Sequence, residues 1–365
     1  MRSGLRTLFA LVAGVATLGA LASCRADPTG DQDTTVSADS VIYPLSLRYH
    51  GIDVVEDVPY GRDPLQRMDV CLPADSAPGA TATPTASAAA DDAGDGDRPG
   101  GAATAGAAAD VPGSAADATA VPAAQVRDRE TGGRPAVMMV HGGSWSHGDK
   151  STAAYRSVCQ YLASEGFVTF NVDYRLAPTD PFPAGLDDVR SALDTVFRTA
   201  TLRTYDVDPD RVGLFGGSAG GNLVAMLAVE DHESAAYGRG DRIRAVVDLS
   251  GPTDLTVRST RSDGVIPAFR RTQLLYLGCS SYRQCPAAER ASPEYHVTRA
   301  TAPFFIGHST HEFIPLWESQ TFAATLRSHG VPVTFVAVRG SAHSIAQLDE
   351  AMSRRVSAYL RDHLR

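Results

Sequence analysis

Ser218 sits in Gly216-Gly217-Ser218-Ala219-Gly220, after the apolar run Val212-Gly213-Leu214-Phe215 and before the helix-permissive stretch Asn222 to Leu227. A serine placed at a tight strand-to-helix turn, flanked by glycines that let neighbouring backbone pass close, presents its hydroxyl at the end of a sheet with a helix dipole behind it. The chemistry open to such a serine is nucleophilic attack on an acyl carbon. That reaction needs a base to take the hydroxyl proton and amide donors fixed where negative charge develops. His141-Gly142-Gly143-Ser144-Trp145 follows a predicted strand and supplies the amides: the N–H groups of Gly143 and Ser144, joined by that of Ala219 after the nucleophile, form the expected oxyanion hole. His343, in Ser341-Ala342-His343-Ser344, follows the last predicted strand, where a base belongs when the chain order is nucleophile, acid, base. His141 belongs to the glycine motif and reads as structural.

The elements that must hold these residues are legible as an alternation. Strands are predicted at Ile52–Val58, Arg67–Leu72, Ala136–Val140, Phe167–Val172, Arg211–Phe215, Ile243–Leu249, Phe304–Gly307 and Val331–Val338. Helices are predicted at Thr152–Ser164, Leu186–Thr199, Ser218–Val229, Trp317–His329 and Ile345–His363. Short apolar strands separated by helices of about a dozen residues imply a mostly parallel sheet of about eight strands, covered on both faces. In such sheets ligands bind at the carboxyl ends of the strands, where every motif above falls.

Taken together, HGGSW at 141–145, DYRLAP at 173–178, FPAGLDDV at 182–189, GGSAGGN at 216–222, SGPTDL at 250–255 and GSAHS at 340–344 resemble the α/β-hydrolase esterases. The groups resembled are the hormone-sensitive-lipase-like, feruloyl and acetylxylan esterase, and kynurenine formamidase enzymes. The resemblance runs from about residue 52 to the C-terminus, apart from one low-complexity stretch. It implies an α/β-hydrolase fold with a short lid, and a serine carboxylic-ester hydrolase that works through an acyl-enzyme with no cofactor. The Asp-Tyr-Arg segment and the Asp187–Asp188 pair carry over as scaffold. One departure stands out. The resemblance places the triad acid in a stretch like H-G-x-x-D-x-x-V-P, and counting back from Pro315 puts His311 there. A neutral imidazole could align His343 but not stabilise the imidazolium formed during acylation; loss of that charge in a related triad costs ~10⁴ in turnover. Glu312, one position on and one methylene longer, is the predicted acid. Asp254, after the sixth strand, is the alternative carboxylate.

At 365 residues with 43% apolar content the chain can bury a large core, and a net charge of −9 without a run of Lys or Arg gives no sign of nucleic-acid binding. The N-terminus reads as an export signal: Arg2 and Arg6, an apolar run from Leu8 to Leu21, then Leu21-Ala22-Ser23-Cys24, which resembles a bacterial lipobox. The run is shorter than the ~20 residues of a bilayer span. The expectation is a signal peptide at 1–23, acylation of Cys24 and a polar tether at 24–50. A single hydrolase domain at 51–365 follows, held at the extracytoplasmic face of the cell membrane. A segment at about 75–133, collapsed to Ala, Gly, Pro, Thr and Asp, interrupts that domain and cannot offset its own ordering entropy. An oxidising compartment permits a disulfide between Cys279 and Cys285, whereas Cys71 and Cys159 read as buried thiols. The cysteines fit no zinc spacing, so no metal is expected. The stretch from Leu255 to Ala302, with Arg258, Arg261, Arg270 and Arg271, reads as a modest polar lid over a site for small or soluble esters. Two other functions fit the sequence: an amidase or exopeptidase using the same triad, and a non-catalytic, membrane-tethered binding domain on a degenerate scaffold.

Overall fold

The computed structural model describes the backbone at 35–36 and the full residues at 41–74, 132–231, 242–261 and 264–365. The expected signal peptide, Cys24, most of the expected tether and nearly all of the low-complexity segment lie outside the described residues.

The strands are β1 (Thr35–Val36), β2 (Asp53–Pro59), β3 (Arg67–Leu72), β4 (Arg134–Val140), β5 (Val168–Val172), β6 (Val207–Gly217), β7 (Ile243–Leu249), β8 (Phe304–Ser309) and β9 (Val333–Gly340). They form one sheet in the order β1-β9-β8-β7-β6-β4-β5-β3-β2, so the expected eight strands gain a two-residue edge. Only the β2–β3 and β3–β5 pairings are antiparallel; the rest are parallel. The α-helices are α1 (Tyr43–Ser46), α2 (Ala153–Ser164), α3 (Ala184–Val196), α4 (Thr199–Tyr205), α5 (Ala219–Glu230), α6 (Pro267–Leu277), α7 (Pro286–Arg290), α8 (Leu316–Ser328) and α9 (Glu350–His363). None of the described helices is long and apolar enough to cross a membrane.

The central strands are apolar at successive positions because both of their faces are covered. Ala136, Met138 and Val140 of β4 enter one buried layer with Phe170, Leu214, Val246 and Ile306. Val137 and Met139 enter the other with Phe215, Val247, Phe305 and Leu360. Fully burying each such side chain contributes roughly 1.5–3 kcal/mol, which is what fixes the two-residue alternation against slippage. α5 is apolar all round and buried from Ala219 to Val229, as a helix enclosed on all sides must be.

Four readings are corrected. Cys71 and Cys159 form a disulfide rather than standing as buried thiols, because β3 and α2 pack together and bring the two cysteine Cα atoms within 5.9 Å; a separation of 88 positions hides this in the sequence. The Cys279–Cys285 disulfide is present as expected. The domain begins before residue 51: Ile42 and Leu47 are buried, and the Tyr43 amide donates to the Leu348 carbonyl, so residues 41–47 belong to it rather than to the expected tether. The closing helix is split, with a 3-10 turn at Ser344–Gln347 and then α9, whose first turn is capped by Asp349 accepting from the Met352 amide at 2.7 Å. Finally, the lid is not polar throughout: Phe269, Tyr276 and Leu277 of α6 are buried beside Gln273, while Ile266 and Leu275 are exposed. Its arginines are tied down: Arg258 pairs with Asp254 and Glu294, and Arg270 Nε donates to the Val265 carbonyl.

Candidate active site

β6 ends in Gly217 and α5 begins at Ala219, leaving Ser218 alone to make the turn at φ 56° and ψ −125°. A non-glycine residue there costs of order 1–3 kcal/mol and persists only where its surroundings fix it. The fixing is visible: the Ser218 amide donates to the Leu249 carbonyl at 2.9 Å, and Ser218 accepts from the Asn222 amide as α5 starts. Glycines at 216 and 220 are required because a methyl on Gly216 would meet the Gly220 backbone, and one on Gly220 the backbone of Val140 and His141. Ser218 is almost wholly buried at the N-terminus of α5.

The glycine loop after β4 closes over this turn. A methyl on Gly142 would stand 3.2 Å from Ser218 Cβ and 2.8 Å from the Gly217 carbonyl, so loop and elbow are in contact. Gly143, Ser144 and Trp145 all have positive φ (125°, 54° and 56°). Among the described residues no acceptor is found for the amides of Gly143, Ser144 or Ala219. The Gly142 amide is taken instead, donating to the Tyr155 hydroxyl at 2.5 Å. Behind the loop, His141 stacks on Tyr174 with ring centres 4.4 Å apart, and the Tyr174 hydroxyl donates to the His141 carbonyl at 3.1 Å. The Ala177 amide donates to the Trp145 carbonyl. Burial pushes His141 down to about 4, so it is neutral and structural, in keeping with its reading from sequence. The Asp-Tyr-Arg segment is likewise scaffold, with Arg175 Nε and Nη2 gripping the buried Asp188 carboxylate at 2.9 and 2.7 Å.

On the other side of Ser218, the loops after β7, β8 and β9 meet. Glu312, completely buried, is hydrogen-bonded through Oε2 to His343 Nδ1. Its Oε1 accepts from the Ser250 hydroxyl at 2.7 Å and the Ser309 amide at 3.1 Å, while His308 Nε2 lies 3.1 Å away. The acid loop is laid along β9 by the Thr310 and His311 amides, which donate to the carbonyls of Val338 and Gly340. That pairing turns His311 outward, where it is exposed and bonded to Thr310. Asp254 has no part in this cluster: its carboxylate accepts from the Thr256 amide and hydroxyl and pairs with Arg258. Ser344, next to His343, packs against Gly217, next to Ser218. His343 Nε2 is buried and has no protein partner, and no hydrogen bond joins it to the Ser218 hydroxyl.

One aromatic ring packs on the imidazole, and others stack behind it. Phe313 packs on His343 with ring centres 4.3 Å apart, Phe269 of α6 packs edge-on to Phe313 at 5.1 Å, and Trp145 stacks on Tyr276 at 4.3 Å. The sequence reading singles out Ser218, His343, Glu312 and the three amides as the site. It assigned no role to Ser250, His308 or Tyr155, although Ser250 opens one of the quoted motifs.

A family model described as BD-FAE matches residues 125–326, more than half of the chain; Ser218 and Glu312 fall inside the match and His343 beyond it. Esterase LipC of Mycobacterium tuberculosis (strain ATCC 25618 / H37Rv) is 28% identical over 232 residues, covering 62% of this chain and 56% of the relative. Arylacetamide deacetylase of Oryctolagus cuniculus is 40% identical over 96 residues, 26% of this chain and 24% of the relative. The chain thus spans about half the length, or less, of these curated relatives. Among solved structures, a truncated carbohydrate esterase from gut microbiota superposes with a TM-score of 0.63 at 17% identity, covering 86% of this chain and 96% of that one. The thermophilic carboxylesterase EstE1, from a metagenomic library, gives 0.59 at 19%, covering 88% and 92%. These likenesses establish the fold. The chain belongs to the BD-FAE family, built on the α/β-hydrolase fold.

Proposed function

We propose that the protein is a serine carboxylic-ester hydrolase, held by an acylated Cys24 at the extracytoplasmic face of the cell membrane. Ser218 attacks the acyl carbon; His343 takes the hydroxyl proton and returns it to the leaving alcohol. Glu312 stabilises the imidazolium, and the Gly143, Ser144 and Ala219 amides receive the oxyanion. Water then resolves the acyl-enzyme through the same histidine. The observation that carries this reading is the Glu312–His343 pair, its carboxylate buried, lying beside a strained serine and a loop of amides with no acceptor among the described residues. The names of the relatives, esterases among them, support the reaction class. Phe313, half-buried and packed on the imidazole, supplies an apolar surface for small esters.

Turnover of p-nitrophenyl acetate by the purified protein, with a burst of p-nitrophenol equal to the enzyme concentration when deacylation is slow, tests the reaction. A folded protein with no turnover of any p-nitrophenyl ester removes the proposal and favours a binding domain. An amide-cleaving reading is favoured by one observation, the 40% identity to a deacetylase named for an arylacetamide. Higher kcat/KM on acetanilides than on the matched esters would establish it. The anchor rests on Leu21-Ala22-Ser23-Cys24. Cys24→Ser should release the protein from membranes, and unchanged retention contradicts lipidation.

A further inference from the structure

Ser250 stands where the three site loops meet, and nothing in the triad chemistry above uses it. It is fully buried and holds a positive φ of 58°, a conformation that a side chain adopts only under constraint. Its amide donates to the Gly307 carbonyl at 2.8 Å, which anchors it to β8. Its hydroxyl oxygen receives the Gln347 side-chain amide at 2.5 Å and, more weakly, the Ser344 backbone amide at 3.4 Å. A hydroxyl has one hydrogen. With N–H donors already on its oxygen, that hydrogen has one remaining acceptor, Glu312 Oε1 at 2.7 Å. The same logic orients Gln347: an ionised carboxylate only accepts, so Ser250 must donate to it, and Gln347 must therefore turn its NH₂ group toward Ser250.

We infer that Ser250, backed by Gln347, is a positioning residue for the triad acid: its directed hydroxyl pins Glu312 Oε1 so that Oε2 is presented to His343. The inference rests on the proposed role of Glu312. The chain of donors runs from Gln347, beside the histidine loop, through Ser250 after β7, to the acid after β8. It couples the three segments that must register for the imidazole to face Ser218. Glu312 needs such a pin because a glutamate has one more rotatable bond than an aspartate. The Ser309 amide and His308 Nε2, each 3.1 Å away on the same oxygen, are the weaker holders by length.

The test is a set of single and double variants of the full chain, assayed for kcat and KM on p-nitrophenyl acetate. Ser250→Ala deletes the hydroxyl without changing the backbone demand, and should lower kcat about 10–100-fold, the range for a hydrogen bond to a charged group, with KM within about twofold. Gln347→Met leaves the hydroxyl but frees its hydrogen, and should lower kcat by about threefold to tenfold. In a Glu312→Gln background each effect should shrink below about twofold, and Gln347→Met should add nothing to Ser250→Ala. Wild-type kcat in folded Ser250→Ala overturns the inference and leaves the triad standing. So do losses that multiply unchanged into the Glu312→Gln background, since they mark ordinary packing. Full activity in Glu312→Gln alone overturns the acid assignment and the inference with it. Should Ser250→Ala fail to fold, Gln347→Met with and without Glu312→Gln decides by the same criteria.

Discussion

The two halves of the site are built by different means. On the nucleophile side, backbone does the work: glycines at 216 and 220 permit a strained Ser218, and positive φ angles at 143–145 leave amides unpaired beside it. On the acid side, side chains do it: Glu312, Ser250, Gln347, His308 and His343 come from separate segments and hold one another through hydrogen bonds. Geometry imposed by backbone needs particular residue types at fixed short spacings, so it leaves a motif. Geometry imposed by side chains needs only that partners meet in space, so one can shift along the chain while its neighbours compensate. If Glu312 is the acid, as proposed, it stands one position beyond the place where the resemblance puts it, which His311 occupies.

The largest effect that would break this contrast lies on the acid side. Glu312→Gln should lower kcat on p-nitrophenyl acetate by about 10³–10⁴, whereas Asp254→Asn should leave turnover within a few-fold; the reverse ranking would return the acid to the loop after β7. Next comes the covalent tie between β3 and α2. In the chain-entropy model, Cys71→Ser with Cys159→Ser should destabilise the domain by about 4–5 kcal/mol, against about 2 for losing the six-residue Cys279–Cys285 loop, measured by denaturant unfolding.

Asp248 gives a prediction in pH. Burial pushes its carboxyl from an ordinary 3.8 up to about 7, and one of its oxygens has no partner. With the folded value above the unfolded one, the unfolded state releases this proton first as pH rises. The group therefore favours folding least above pH 7, and its cost fades as pH falls toward 4. Asp248→Asn should accordingly shrink the loss of stability between pH 5 and pH 8 by about 2–3 kcal/mol. An unchanged pH slope would mean that Asp248 ionises normally. The smallest effect sharpens the backbone side: Tyr155→Phe frees the Gly142 amide and should lower kcat by about tenfold, a single neutral hydrogen bond's worth, with KM little changed. An equal fall through KM would show that Tyr155 shapes substrate binding instead.

What could be read from the chain follows the same division. The parallel sheet was legible because Ala136–Val140 and Val212–Phe215 are unbroken apolar runs, and the elbow because glycine spacing has few other uses. Glu312 could be found only by distrusting an ungapped count. Ser250 was visible as the start of SGPTDL, but its role depends on Gln347, 97 residues away. Tyr155 sits in an amphipathic helix with nothing local to set it apart. The Cys71–Cys159 bond is masked by its separation. α4 went unseen because its run of threonines (Thr199, Thr201, Thr204) has low helix propensity, and packing overrides that. The break before α9 did carry a signal, Asp349 ahead of Glu350, which is an N-cap pattern.

The central claim is that Ser218 is the nucleophile. Purified protein treated with a fluorophosphonate, digested and sequenced by mass spectrometry should carry the adduct on the peptide containing Ser218, and Ser218→Ala should carry none. Wild-type protein that stays unlabelled while folded, or that takes the label on another residue, would contradict the account.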